Sequence, residues 1–363
     1  MHFTRRDAYD TLDLRRVQCV FRKAGEMCSI DCTDTARTKH YVPREELFAT
    51  YREEQAMTQI DFGVTIRPTV ESGTLSDMQH ANARLLRVAH AHNLSCWVID
   101  HFQSAERPIL ECLAFLAYHA GQAPGLRWGT LVLGQGYRNP ALTAKIAATL
   151  QFLTGGRFIL GIGGGDAESE HLAYGYPFPS PRERITQLDE AARIIKLLWT
   201  GQPVSFEGQY YRIANASCIP APEPPPVLMI GGAGERRTLR VVAEHADWWN
   251  ADYYSPDEYA HKLAVLHDHC RAIGRDPEEI VPTCYMGIGV SRDPARLVRS
   301  RTMGHRGVVH VISGDPDEVT AQIEAFAHAG VQLMQLNFLD YPRLEGVELF
   351  VTEVLPRFNH VVV

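Results

Sequence analysis

No apolar run in this 363-residue chain approaches the roughly 20 residues that cross a bilayer as a helix, so no transmembrane helix is expected. Its opening residues, MHFTRRDAYD, have no apolar h-region, and a signal peptide is not expected either. Positive charge is in deficit: 36 Lys and Arg stand against 43 Asp and Glu, a net charge of -7. Nucleic acid as the main partner is therefore excluded, because phosphate neutralisation needs clustered Lys and Arg. A local basic patch for an anionic cofactor stays open. A disulfide framework is also missing. Cys19, Cys28, Cys32, Cys96, Cys112, Cys218, Cys270 and Cys284 are scattered, several of them in apolar segments, and read as the reduced thiols of a cytoplasmic protein.

Metal-ligand spacing is lacking as well. Cys19, Cys28, Cys32 and His40 match no zinc pattern. His90 and His92, like His267 and His269, lie two apart on expected helices and so point to different faces. No metal is expected, and a metal-dependent hydrolase is an alternative that metal analysis would settle. The run GIGGG lacks the helix-opening G-x-G-x-x-G spacing and is not a dinucleotide fingerprint.

The remaining text is that of an ordinary globular protein, 45% hydrophobic and 22% charged, with ample chain for a large core. Residues 1–56 are polar and without sustained periodicity. They are expected to be a poorly ordered appendage, with Met57 marking the start of the domain proper. Residues 57–363 alternate strand and helix. Short apolar runs at 60–66, 96–99, 126–133, 157–162, 227–230, 247–250, 285–290 and 333–338 read as parallel strands covered on both faces, with 247–250 the least marked. Ser180-Pro181-Arg182-Glu183, Ser255-Pro256-Asp257-Glu258 and Asp315-Pro316-Asp317-Glu318 are capping boxes with Pro at the first helical position. Gly274 and Gly330 are placed to end two of those helices.

Eight strands alternating with helices imply a (β/α)₈ TIM barrel, with a doubly wound sheet as the alternative. Two stretches exceed the bare repeat. Residues 165–179 form an insertion after strand four. Residues 201–226, before strand five, hold a strand-like piece at 204–213 and a Pro-rich connection.

Barrel active sites lie at the C-terminal ends of the strands. Strand two is followed by Asp100-His101-Phe102 and strand three by GQGYRNP. Strand four leads to Gly163-Gly164-Gly165-Asp166, and strand five to Gly231-Gly232-Ala233-Gly234-Glu235-Arg236-Arg237-Thr238. Strand six ends at Asn250. The GGAGERRT turn opens a helix, where free N–H groups and the dipole favour a phosphate, with Arg236 and Thr238 as further contacts. His101 is the candidate acid/base, and Asp100 could orient it or raise its pKa. Asp166 could face a ligand or cap the next segment.

The stretch FLTGGRFILGIGGGDAESEHLAYGYPF followed by PRER, supported by WVIDHF, GTLVLGQGYRNPALTAK, IGGAGERRTLRVVAEHADWWN and the terminal GDPDEV…AGV…LNF…VLP pattern, resembles the bacterial luciferase-like family of flavin- and deazaflavin-dependent oxidoreductases. The resemblance spans about 60–358. It implies the same barrel, with coenzyme F420 or FMN across the C-terminal mouth. It implies a strand-three bulge, often with a non-prolyl cis peptide, at Leu131-Val132 behind the ring. In a deazaflavin-dependent sugar-phosphate dehydrogenase branch, the residues matching Asp100-His101 include the base on the substrate hydroxyl. This chain departs from that branch at Asp166, where the branch has Glu, and at Ala105, where it has Trp. Both departures bear on a sugar-phosphate substrate and leave cofactor binding intact.

The resemblance therefore implies hydride transfer between F420 and a small organic substrate, His101 and Asp166 catalytic. Cofactor contacts would come from Asp100, Leu131, Val132, Gly163, Gly164, Gly165, Gly231, Gly232, Gly234, Arg236 and Thr238. It also implies a homodimer. The alternatives are an FMN-dependent monooxygenase supplied by a partner flavin reductase, and a non-catalytic flavin-binding protein.

Overall fold

The computed structural model describes residues 11–14, 17–24, 27–30, 41–43, 59–103, 107–297, 300–303 and 307–358. The chain divides into two units, Met1–Thr58 and Gln59–Val363. In the first, the described residues form a four-stranded antiparallel sheet of Thr11–Leu14, Val17–Ala24, Met27–Ile30 and Tyr41–Pro43. Cys32, His40 and Met57 lie outside the described residues.

The second unit is a closed barrel. Its parallel strands are β1 (Asp61–Thr65), β2 (Ser95–Val98), β3 (Trp128–Thr130), β4 (Phe158–Gly163), β5 (Val227–Gly231), β6 (Trp248–Asp252), β7 (Val281–Val290) and β8 (Leu333–Phe338). They pair in chain order, and β8 returns to β1 through Leu333↔Asp61 to Leu336↔Val64. Closure removes every sheet edge, so each strand is paired on both sides. This is why the strands read as unbroken apolar runs: helices cover the outside while other strands' side chains cover the inside.

The helices start where the capping boxes place them. Pro181–Trp199, Pro256–Ala272 and Pro316–His328 each have both reciprocal cap bonds, from Ser180, Ser255 and Asp315. Gly274 and Gly330 follow the latter two at φ +74 and +96, a conformation that suits a helix stop.

Strand side chains alternate between two cores. One face packs on the helices. The other fills the barrel with a separate cluster of Trp97, Leu131, Ile159, Met229, Trp248 and Leu333. Gly63 and Gly129 flank the Trp97 indole, and a Cβ at either would stand 2.3 Å from it. One step further along the strands the interior turns polar. Asn250 Nδ2 donates to Thr283 Oγ1 (3.0 Å) and Gln335 Oε1 (2.9 Å), and Thr283 Oγ1 donates to the Trp249 carbonyl (2.9 Å).

The sequence expectations need four corrections. The third strand is not continuous over 126–133: Trp128–Thr130 stops at a cis Leu131-Val132 bond, and Leu133–Gly134 then pairs with β4 again. β7 starts at Val281, because Thr283 and Cys284 pair with β6 and β8 alike. The strand-like piece at 204–213 is a hairpin of Val204–Glu207 and Arg212–Ala216, whose turn delivers the N–H groups of Gln209, Tyr210 and Tyr211 to the Glu190 carboxylate at 2.6–2.9 Å. Residues between β7 and the helix Pro316–His328 hold a further antiparallel pair, Ser300–Met303 with Gly307–His310, and Ile312–Gly314, which extends the sheet beside β7.

The Val132 side chain accounts for two glycines, since a Cβ on Gly163 or Gly231 would stand 2.8 or 2.9 Å from one of its methyls, whereas a Cβ on Gly161 would stand 2.1 Å from the Thr130 carbonyl oxygen. Gly231→Ala should therefore destabilise the barrel by about 1–3 kcal/mol through overpacking. Gly121, at a helix position where a Cβ meets nothing within 4 Å, should respond with the opposite sign. There Ala is expected to stabilise by about 0.5–1 kcal/mol. Urea unfolding of the two variants checks both signs.

Candidate active site

Asp100 and His101 are consecutive, yet they go different ways. The Asp100 side chain has no exposed surface. It forms a bidentate pair with Arg138 at 2.7 and 2.8 Å and accepts the Gly134 N–H at 3.0 Å. Arg138 also reaches Glu111, which caps the helix Cys112–Gln122. Asp100 thus ties the end of β2 to the loop after β3. One expected role needs correcting: Asp100 does not orient His101 by a hydrogen bond, because its oxygens are already claimed by a guanidinium and a backbone donor, and it acts on that imidazole by charge alone.

His101 is held by a residue the sequence reading missed. Its Nδ1 lies 2.7 Å from Glu170 Oε1, while Glu170 Oε2 accepts the Phe102 N–H at 2.8 Å and the Tyr137 hydroxyl at 3.5 Å. The Glu170 side chain is 8% exposed and the His101 side chain 42%. One end of the pair is fixed in protein and the other is open to a ligand. The bond to Glu170 raises the His101 pKa. Burial opposes this, and the charges of Glu170, Asp166 and Asp100 add to the rise. Burial works to raise the Glu170 carboxyl, but the His101 bond and charge with the Phe102 and Tyr137 donors outweigh it, so its pKa is lowered.

Glu170 sits on the helix Glu168–Ala173, inside the insertion after β4. Aromatic packing docks that helix. Phe102 lies 4.4 Å from Tyr137 and 4.8 Å from Tyr174 between ring centroids, and the His171 ring stands 4.2 Å from Tyr137. Asp166, at the start of the insertion, is exposed and near enough to act on His101 by charge. Position 105 lies outside the described residues.

The glycines expected to admit a cofactor first serve protein neighbours. Gly163 and Gly231 make room for Val132. A Cβ on Gly164 would meet Ile185 at 2.8 Å, and Gly165, at φ +72, lies against the His171 ring. Leu131 belongs to the barrel interior, and Val132 packs against the same cluster. Gly232 and Gly234 both flank Thr238, which is buried and opens the helix Thr238–His245. That helix has no side-chain cap on its N-terminus, and Arg236 and Arg237 beside it are exposed. Glu235, just before them in the chain, is anchored to Lys262, and its carbonyl accepts from His269 at 2.7 Å.

Asp189, Glu244 and His245 gather on two neighbouring helices, with His245 Nε2 2.6 Å from Asp189 Oδ1. They lie apart from the strand-end residues. Among the described residues, no helix is long and apolar enough to cross a membrane.

The model of the family described as luciferase-like monooxygenase matches residues 60–307, more than half of the chain. The chain belongs to the luciferase-like family. It is 31% identical over 296 residues to an F420-dependent glucose-6-phosphate dehydrogenase of Kineococcus radiotolerans, covering 72% of this chain and 88% of that protein. A phthiodiolone/phenolphthiodiolone dimycocerosates ketoreductase of Mycobacterium kansasii is 36% identical over 186 residues, 50% of this chain and 49% of that one. Among solved structures, an F420-dependent secondary alcohol dehydrogenase in complex with an F420-acetone adduct superposes with a TM-score of 0.70 at 18% identity, covering 82% of this chain and 98% of that one. At that identity the likeness establishes the shared fold. This luciferase-like chain also has the cis bond at the strand-three position that the sequence resemblance implied.

The buried Asp100–Arg138 pair carries a stability prediction. Asp100→Asn removes one charge and leaves Arg138 with less than its full complement. A loss of about 3–5 kcal/mol is expected, as for other broken buried pairs, measured by urea unfolding.

Proposed function

We propose that this luciferase-like protein is an F420-dependent oxidoreductase that transfers hydride between the deazaflavin and a small organic alcohol or carbonyl compound. The observation that carries the reading is the half-exposed His101 at the end of β2, held by the buried Glu170. The named relative of 31% identity supports the choice of F420.

The residues present fit such a cofactor. The uncapped N-terminus of Thr238–His245, with Arg236 and Arg237 beside it, suits an anionic phosphate. The mouth above Val132, Gly163 and Gly231 suits the flat ring system. Gly232, Gly234 and Thr238 would shape the phosphate turn. When bound, F420 supplies a two-electron hydride acceptor or donor. In oxidation His101 accepts the proton of the substrate hydroxyl, and in reduction it returns one to the carbonyl oxygen. Asp166 contributes negative charge that favours the imidazolium form. The protein's work is alignment of substrate and ring.

The reading carries a cytoplasmic homodimer with it, as the resemblance implies, and assigns the chemistry to residues 57–363 with 1–56 as an appendage. The second reading is an FMN-dependent monooxygenase with a partner reductase, favoured by the solved structure of an FMN-bound monooxygenase of the same fold.

Fluorescence titration of the purified protein with F420 and with FMN separates the two. Quenching by F420 alone is the expected result, and tight binding of FMN alone would move the protein to the monooxygenase reading. His101→Ala is expected to lower turnover by roughly 10²–10⁴-fold with cofactor affinity retained. Equal turnover in mutant and wild type would remove His101 from the mechanism. In the oxidation direction the neutral imidazole is the active form. Because Glu170 raises the His101 pKa, kcat/KM should climb with pH through a midpoint above the ordinary histidine value of about 6.5, and this limb should vanish in His101→Ala.

A further inference from the structure

We infer that Glu170 is the positioning residue that sets the tautomer of His101, and that its two oxygens are so committed that an amide in its place would install the wrong tautomer. The inference rests on the reading of His101 as the acid/base and names what orients that base.

A neutral imidazole has one N–H, and the partner of one ring nitrogen decides which nitrogen bears it. An ionised carboxylate can only accept. Glu170 Oε1 lies 2.7 Å from His101 Nδ1, so Nδ1 must be the donor. The lone pair is then left on Nε2, the nitrogen a substrate proton would reach.

The second oxygen is equally constrained. Oε2 accepts the Phe102 backbone N–H at 2.8 Å. A backbone N–H cannot reverse its role. Phe102 follows His101 directly, so one carboxylate fixes both the ring and the backbone that carries it. The site is closed on its other sides by the Tyr137 hydroxyl at 3.5 Å and by the packed rings of Phe102, Tyr137 and His171. With the Glu170 side chain 8% exposed, water cannot readily replace a lost bond.

A glutamine of the same shape has one accepting oxygen and one donating NH₂. The Phe102 N–H claims the oxygen, so the NH₂ falls on His101 Nδ1. Nδ1 must then accept, the proton moves to Nε2, and the base is gone. Alanine leaves Nδ1 without an instruction, and both tautomers persist. Glutamine should therefore be the more damaging replacement, the reverse of what shape alone predicts.

The test is ¹⁵N-histidine NMR of the full chain without cofactor or substrate, with the His101 signals identified by their loss in His101→Gln. Neutral wild type is expected to be Nδ1–H, Glu170→Gln to be Nε2–H, and Glu170→Ala a mixture. A wild-type Nε2–H tautomer, or Nδ1–H in Glu170→Gln, would overturn the inference. If Glu170→Gln fails to fold, Glu170→Ala decides: a mixture supports the inference and unchanged Nδ1–H overturns it. F420 reduction is then followed with 2-propanol and with glucose 6-phosphate, using whichever the wild type oxidises. Turnover should fall in the order wild type, Ala, Gln, with Gln down by roughly 10²–10⁴-fold, the scale of a general base held in the wrong tautomer. The tautomers as expected, with Gln turning over like wild type, would leave the assignment of Glu170 standing and refute the acid/base role of His101.

Discussion

The rest of the structure depends on closure of the barrel. Five consecutive residue pairs, from Val227↔Ile159 to Gly231↔Gly163, join β5 to β4, while the two long strands β7 and β8 pair over six more. Closure satisfies the backbone of every strand but sets a packing problem inside, since one side chain in two must fit a space of fixed width. The chain solves it with layers. Trp97 fills one level against Gly63 and Gly129 of its neighbours, with the Trp248 ring 6.5 Å away. Above them Asn250, Thr283 and Gln335 satisfy one another. At the mouth Val132 lies over Gly163 and Gly231. A ligand at the mouth would thus rest on a floor that is already dense and has its polar groups partnered.

On that floor, chemistry and architecture are assigned to adjacent residues. Asp100 is fully buried in a charged pair that binds three loops together, and its neighbour His101 is half open. Two carboxylates that look alike in the sequence therefore differ in use. Asp100 is spent on Arg138, and Glu170, 69 residues away from His101 in the chain, governs the imidazole.

Much of the fold was legible. The helix starts were, because a capping box and Pro at N1 are local chemistry that needs no tertiary partner. The eight strands were, because a strand buried on both faces leaves an apolar run. β6 was the least marked, since Trp248-Trp249-Asn250 alternates between cores in a way that hydropathy alone does not separate. The 300–310 pair leaves no marked local pattern, and the 204–216 hairpin reads in part as a single strand because its turn depends on Glu190 from a different element. The site was half legible. His101 stood at a strand end and could be singled out. Glu170 lay in the insertion flagged as site-forming, within an ESEH run with no spacing rule to His101.

By itself the sequence determined the architecture, the helix boundaries, the candidate base and, through resemblance, the place of the cis bond, because each is written in residues close together or in a pattern repeated along the chain. Tertiary structure alone decided which carboxylate bonds His101, which glycines yield to Val132 and where the third strand breaks. Those outcomes depend on distances between segments far apart in the chain, and such distances exist only once the barrel has closed.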